Sequence, residues 1–155
     1  MGGNIDIMQP ILTGLRQRLG DNLISVVLFG SRARGDEEPT SDWDLLIIAR
    51  DLPKHFMERY WLIKEALPVE WRGLTSILAR TPREFEATLP PLYLDIAIDG
   101  KILYDKNNYV QTRLSALRRL IKRKGLLREK QGRELIWKWK EFPGTEWSLY
   151  WDDAL

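Results

Sequence analysis

Residues 42–49 read Asp-Trp-Asp-Leu-Leu-Ile-Ile-Ala, and the run ends in apolar residues that do not alternate with polar ones. A strand with one face in water alternates, so this pattern belongs to a strand covered on both faces. Leu23 to Phe29 (Leu-Ile-Ser-Val-Val-Leu-Phe) is a second β-branched, apolar run and reads as a buried strand that stops at Gly30-Ser31. Asp36 to Ser41 between them is a polar loop containing a proline.

Around these strands the spacing is helical. Ile7, Ile11, Leu15 and Leu19 predict a helix from about Asp6 to Leu19, stopped by Gly20. Pro53 opens a second helix running to about Leu67, and Leu74 to Ala79 predicts a third strand. Thr81-Pro82-Arg83-Glu84 has the form of a capped helix start: Thr81 as cap, Pro82 at the first position, Glu84 three residues after the cap. Asp99-Gly100, between alternating apolar residues, predicts a hairpin, with Leu92 to Ile98 either its first strand or the end of a helix. Val110, Leu114, Leu117 and Ile121 form the apolar stripe of a helix over Asn108 to Lys124, whose other face carries Arg118, Arg119, Lys122 and Arg123. The apolar-basic segment 135–151 turns at Pro143-Gly144 and predicts a hairpin arm.

Composition removes several classes. With no cysteine and a single histidine, His55, disulfide frameworks and multi-histidine or cysteine metal sites are excluded. His55 itself reads as a surface or cap residue. No run approaches the roughly 18 apolar residues of a membrane span, and the N-terminus has no secretory signal pattern. The expectation is a soluble, cytoplasmic protein. Net charge is only +2, yet residues 113–140 hold eleven Lys or Arg. That asymmetry fits either a solvated helix face or a polyanionic partner such as nucleic acid. Trp137, Trp139, Trp147 and Trp151 place four of seven tryptophans in the last 20 residues. Such rings stack on bases, pack on the core, or bury themselves against a second subunit in a homodimer.

The chemistry concentrates in Leu28 to Ile48. Gly30-Ser31 follows a buried strand, and ten residues separate Ser31 from Asp42, which with Asp44 sits at the start of the next strand. Glycine lets a ligand approach the backbone, and amides at a tight turn bind phosphate. The Ser31 hydroxyl adds a hydrogen bond, and Arg32 and Arg34 flank the turn with charges that pair with phosphate. Side chains two apart on a strand share a face, roughly 7 Å apart along it. Asp42 and Asp44 so placed can hold a Mg²⁺ pair at the roughly 3.5–4 Å spacing of two-metal phosphoryl chemistry. Trp43 must then point the other way, into packing.

Gly-Ser, about ten residues, then Asp-x-Asp resembles the signature of the polymerase-β-like nucleotidyltransferase superfamily. The Arg-x-Arg-Gly insert and short chain most resemble its minimal prokaryotic group. The resemblance implies an α/β (α+β) fold: a small mixed β-sheet flanked by helices in a nucleotidyltransferase core at residues 1–106. A C-terminal basic helix and aromatic-rich extension, with a possible hairpin arm, would then occupy 107–155. It implies an NTP, ATP above all, held at Gly30 and Ser31, and Mg²⁺ held by Asp42 and Asp44 as catalytic residues, with an NMP group passing to a hydroxyl acceptor. Some members are antitoxins beside a helical HEPN partner, which some of them adenylylate.

The chain departs from that family in one place. Active members supply a third carboxylate from the third strand, and residues 73–79 contain no acid. Thr75 or Ser76 occupies the position, with Glu70 and Asp95 as candidates to reach in. Missing a base or a metal ligand slows such chemistry by about 10²–10⁴-fold. The alternative to an enzyme is therefore a nucleotide-binding module that acts by binding a protein partner.

Overall fold

A computed structural model describes residues 6–141, 143–144 and 149–155. Helix α1 (Gln9–Leu19) leads into β1 (Leu23–Phe29), a four-residue helix α2 (Ser31–Arg34) and β2 (Trp43–Ala49). Then come α3 (Phe56–Ala66), α4 (Val69–Arg72), β3 (Thr75–Arg80), α5 (Pro82–Ala87), α6 (Pro91–Asp99) and β4 (Lys101–Asp105). The chain ends with α7 (Tyr109–Lys124), a hairpin of β5 (Leu126–Gln131) and β6 (Glu134–Trp139), and α8 (Trp151–Ala154).

The main sheet has the order β3-β2-β1-β4 and is mixed: β1 runs antiparallel to β2 and β4, while β2 and β3 are parallel. Helices cover both faces, which is why β2 is apolar without alternation. Leu45, Ile47 and Ala49 pack with Met8, Ile11, Leu15 and Ile63, on the α1–α3 side. Leu46 and Ile48 pack with Phe85, Leu94, Val110, Leu117 and Trp151, on the α5–α8 side. The Thr81 cap forms as expected: its hydroxyl accepts from the Glu84 amide and Glu84 accepts from the Thr81 amide.

One predicted hairpin is corrected. Residues 91–99 form α6, not a strand, so Asp99-Gly100 is no hairpin turn. Tyr93, Leu94, Ile96 and Ala97 are buried together at helical spacing, and Pro91 in the first turn favours that start. The Gly100 amide closes the helix by donating to the Ile96 carbonyl at 2.7 Å. The hairpin expected at Pro143-Gly144 has part of its second arm outside the described residues; its first arm, as β6, joins β5 in a different hairpin. It turns at Gly132-Arg133, with Gln131 paired to Glu134. Gly132 takes a φ of 62°, the left-handed conformation that a two-residue hairpin loop demands. Trp151 belongs to α8, and Trp147 lies outside the described residues.

Candidate active site

The antiparallel register of β1 and β2 pairs Phe29 with Asp44, so Gly30 arrives directly against the Asp44 carboxylate. Gly30 has φ 74°, and a Cβ there would lie 2.0 Å from Asp44 Oδ2. A side chain there would have to push the Asp44 carboxylate aside, in a backbone conformation that favours glycine. Asp44 shares the α5–α8 face with Leu46, and Asp42, in the loop just before β2, lies close enough for its charge to act on Asp44. Trp43 points the other way and meets Trp71 edge-on at 5.6 Å.

Burial pushes the Asp44 carboxyl above the usual carboxylate range, the Asp42 charge pushes further, and Arg34 offsets part of it. Two neighbouring carboxylates, one half-buried, call for a cation. Their hard oxygens suit Mg²⁺, which takes carboxylates together with substrate phosphates. The donor set therefore fits the metal. Among the described residues no group of three or more acidic or histidine side chains is assembled to hold one.

The register also separates Ser76 from Thr75. Ser76 pairs with Asp44 across the parallel β2–β3 ladder and is exposed on the same face. Thr75 points to the opposite side, where its hydroxyl and carbonyl accept hydrogen bonds from Lys64 Nζ at 3.1 and 2.6 Å. Lys64, 5% exposed and absent from the sequence reading, also donates to the Arg72 carbonyl at 2.7 Å. Burial depresses its ammonium, and the Asp42 charge partly restores it. It braces the start of β3 beneath the acidic pair.

Ser31 opens α2, where the first amide has no carbonyl one turn back to bond. Beside it lies a cleft of about 330 Å³, lined by Ser31, Arg34, Asp36, Glu38 and Ser41, and across from them Lys130 and Arg133 of the hairpin. Arg34 pairs with Asp36 at 3.3 Å and with Asp99 at 3.7 Å. Arg32 turns away: its Nη2 donates to the Ser41 carbonyl at 3.0 Å, and the guanidinium lies 4.6 Å over the Trp43 ring. It braces the loop leading into Asp42.

Residues 9–149 match the family model described as nucleotidyltransferase domain. The chain belongs to that nucleotidyltransferase family. A Methanocaldococcus jannaschii chain named as a protein adenylyltransferase, MJ1305, is 36% identical over 123 residues, spanning 76% of this chain and 83% of that one. A second from the same organism under the same name, MJ0141, is 28% identical over 105 residues, 68% of this chain and 93% of that one. In fold, the chain is similar to a toxin–antitoxin crystal structure with AMP-PNP, at TM-score 0.54 and 18% identity over 74% of this chain and 86% of that one. It is also similar, at TM-score 0.51 and 16% identity, to a chain of the Shewanella oneidensis complex of a tri-AMPylated HEPN toxin with its MNT antitoxin, over 79% of this chain and 88% of that one.

The remaining candidates of this nucleotidyltransferase lie elsewhere. Asp95 sits on α6, not on a strand, and its Oδ1 accepts from Trp137 Nε1 at 2.9 Å and Arg128 Nη1 at 3.2 Å. Glu70 is exposed on α4. His55 precedes α3 as an exposed residue whose side chain makes no cap hydrogen bond. On α7, Arg118 donates to the Ala97 carbonyl at 2.9 Å and Arg113 pairs with Glu86 at 3.0 Å, so part of the basic face is structural. Trp137 and Trp139 pack against the core, and Trp151 is buried, donating to the Phe85 and Thr88 carbonyls at 2.8 and 2.9 Å. Lys130 and Arg133 line the cleft without having been singled out in the sequence. Their signal was the basic bias of residues 113–140, which sequence periodicity assigns to a helix face. No helix among the described residues is long and apolar enough to cross a membrane.

Proposed function

We propose that this nucleotidyltransferase is a Mg²⁺-dependent adenylyltransferase that moves AMP from ATP to a hydroxyl side chain of a protein partner. The observation that carries the reading is the contact of Gly30 with the Asp44 carboxylate, which joins the phosphate turn and the acidic pair into one site. Ser31 donates to phosphate, Arg34 adds charge beside it, and Asp42 with Asp44 would hold Mg²⁺. When bound, the metal neutralises phosphate charge and polarises the reacting oxygens. The acceptor hydroxyl oxygen bonds to the α-phosphorus as the bond from that phosphorus to the α,β-bridging oxygen breaks; pyrophosphate leaves with the electron pair, and the hydroxyl proton passes to solvent. Ser76 is a neutral neighbour, so turnover is slow for this chemistry.

The acceptor class rests on the relatives, which are named as protein adenylyltransferases. A HEPN-type helical protein is the partner we infer, because the fold neighbour is an MNT antitoxin in complex with an AMPylated HEPN toxin. Exposed Phe56, Met57, Tyr60 and Trp61 on α3 supply an apolar surface suited to a protein rather than a metabolite. The reaction belongs in the cytoplasm, where ATP and Mg²⁺ meet.

The test is incubation with α-labelled ATP, Mg²⁺ and the product of a neighbouring HEPN-type gene. Label on the protein together with pyrophosphate release, both lost in Asp42→Asn/Asp44→Asn, supports the reading. ATP binding with no label and no pyrophosphate overturns it.

A further inference from the structure

The nucleotide cleft has two walls built from distant parts of the chain. One is the phosphate turn with Ser31 and Arg34. The other is the tip of the β5–β6 hairpin, about a hundred residues later in the chain. Three cationic side chains (Arg34, Lys130, Arg133) and two anionic ones (Asp36, Glu38) line the space between them. Lys130 Nζ pairs with Asp36 Oδ2 at 3.1 Å, and Arg133 Nη1 donates to Glu38 Oε2 at 3.1 Å. Both cations are well exposed, at 53% and 82% of their side chains.

The hairpin is not loosely placed. Arg128 grips Asp99 with both guanidinium nitrogens, at 2.7 and 2.9 Å, and also reaches Asp95 at 3.2 Å. Asp99 in turn lies 3.7 Å from Arg34 of the phosphate wall. Residues two apart on a strand share a face, so Lys130 follows Arg128 toward the cleft, while Glu129 turns away to Lys138. The anchor holds the tip in place, and the ion pairs at the tip are of the exposed kind worth about 0–1 kcal/mol each. A triphosphate offers more charge and more acceptor oxygens than the single carboxylates it would replace.

We propose that Lys130 and Arg133 are nucleotide-binding residues: the hairpin tip grips the β- and γ-phosphates, and Asp36 and Glu38 are the resting partners that the triphosphate displaces. This rests on the reading of Gly30-Ser31 as the phosphate turn. The selectivity it produces is for nucleotides with a polyphosphate tail over the monophosphate. Pyrophosphate, the product that keeps both of those groups, is held at the same tip until it leaves.

Titration calorimetry of the full chain with Mg²⁺ and ATP, AMP or inorganic pyrophosphate tests it. Lys130→Ala/Arg133→Ala should weaken ATP and pyrophosphate about 10–100-fold, the loss of two partly exposed charge-assisted contacts, and leave AMP unchanged. Asp36→Asn/Glu38→Gln should tighten ATP by about two- to fivefold, since it removes the competing partners. An AMP affinity equal to the parent's shows that the alanine variant is folded; a second variant, Lys130→Gln/Arg133→Gln, serves if it is not. Unchanged ATP affinity in both variants overturns the hairpin's role while leaving the proposed function standing. A parent chain that binds AMP, ATP and pyrophosphate equally poorly overturns both.

Discussion

The two walls of the cleft are made in opposite ways. Behind the Ser31 wall the Gly30–Asp44 contact is tight: a glycine with left-handed φ, a carboxylate in the space of its missing Cβ, and two apolar clusters behind the strands. The hairpin wall is held at its base by Arg128 and meets the site through exposed, exchangeable ion pairs. One wall sets geometry, which substitution destroys. The other sets charge, which substitution tunes. On the proposed reading, this design keeps the reacting centre rigid and leaves the polyphosphate end open to entry and release.

The largest break of that contrast is Asp42→Asn/Asp44→Asn. Turnover should fall by roughly 10⁴-fold because the metal's several kcal/mol of stabilisation is lost. The melting temperature should hold or rise, since the like-charge pair is gone; pyrophosphate release and thermal melts read both. Next is Arg128→Met, which leaves largely covered Asp95 with only Trp137 and Asp99 with only the longer Arg34 contact. It should cost about 2–4 kcal/mol in urea unfolding and weaken ATP binding as the hairpin loosens. Gly30→Ala follows, at about 1–3 kcal/mol for the strained φ and the displaced Asp44, with turnover lost alongside.

Ser76→Asp sharpens the rigid wall instead of breaking it. A carboxylate there would face Asp44 across the ladder and should raise Mg²⁺-dependent turnover by about tenfold or more. An unchanged rate would mean that the neutral position is not what slows the reaction. The smallest effect lies away from both walls. Arg59 meets Glu84 at 2.7 Å and, through that hydrogen bond first, holds its carboxyl down at about 2. A depressed carboxylate stabilises the fold above its unfolded value of 4.5 and loses that contribution as pH falls toward about 2. Because Glu84 is 43% exposed, the pair is worth only about 0.5–1 kcal/mol after screening. Melting curves of the parent and Glu84→Gln should differ at pH 7 and converge across that acidic window.

Strands β1, β2 and β3, the Thr81 capping box and the helix of the basic segment were legible because each is written in neighbouring residues: apolar runs, a cap spacing, a helical stripe. The Gly-Ser and Asp-x-Asp elements were legible for the same reason, each on or beside its own strand. Residues 91–99 were not, because Tyr93, Leu94, Ile96 and Ala97 satisfy a helix while Leu94, Ile96 and Ile98 satisfy a strand. Only burial against the α5–α8 face chose between them. The β5–β6 hairpin was not legible because Gly132 is a weak local signal, and only the pairing of β6 with β5 marks the turn there.

What the order of residues specified was therefore local: which segments are strands, and where Gly30-Ser31 and the Asp42–Asp44 pair fall beside them. Three things had to wait for distant segments to meet. Ser76, not Thr75, neighbours Asp44, because the β2–β3 register assigns faces. Asp95 serves Trp137 and Arg128 rather than the metal site, because α6 is a helix. Lys130 and Arg133 reach the phosphate turn because Arg128 docks the hairpin on Asp99. Each depends on contacts between residues some thirty to a hundred positions apart. Periodicity and spacing encode a segment's own neighbours, while long-range pairing is chosen by the packing free energy of the whole chain.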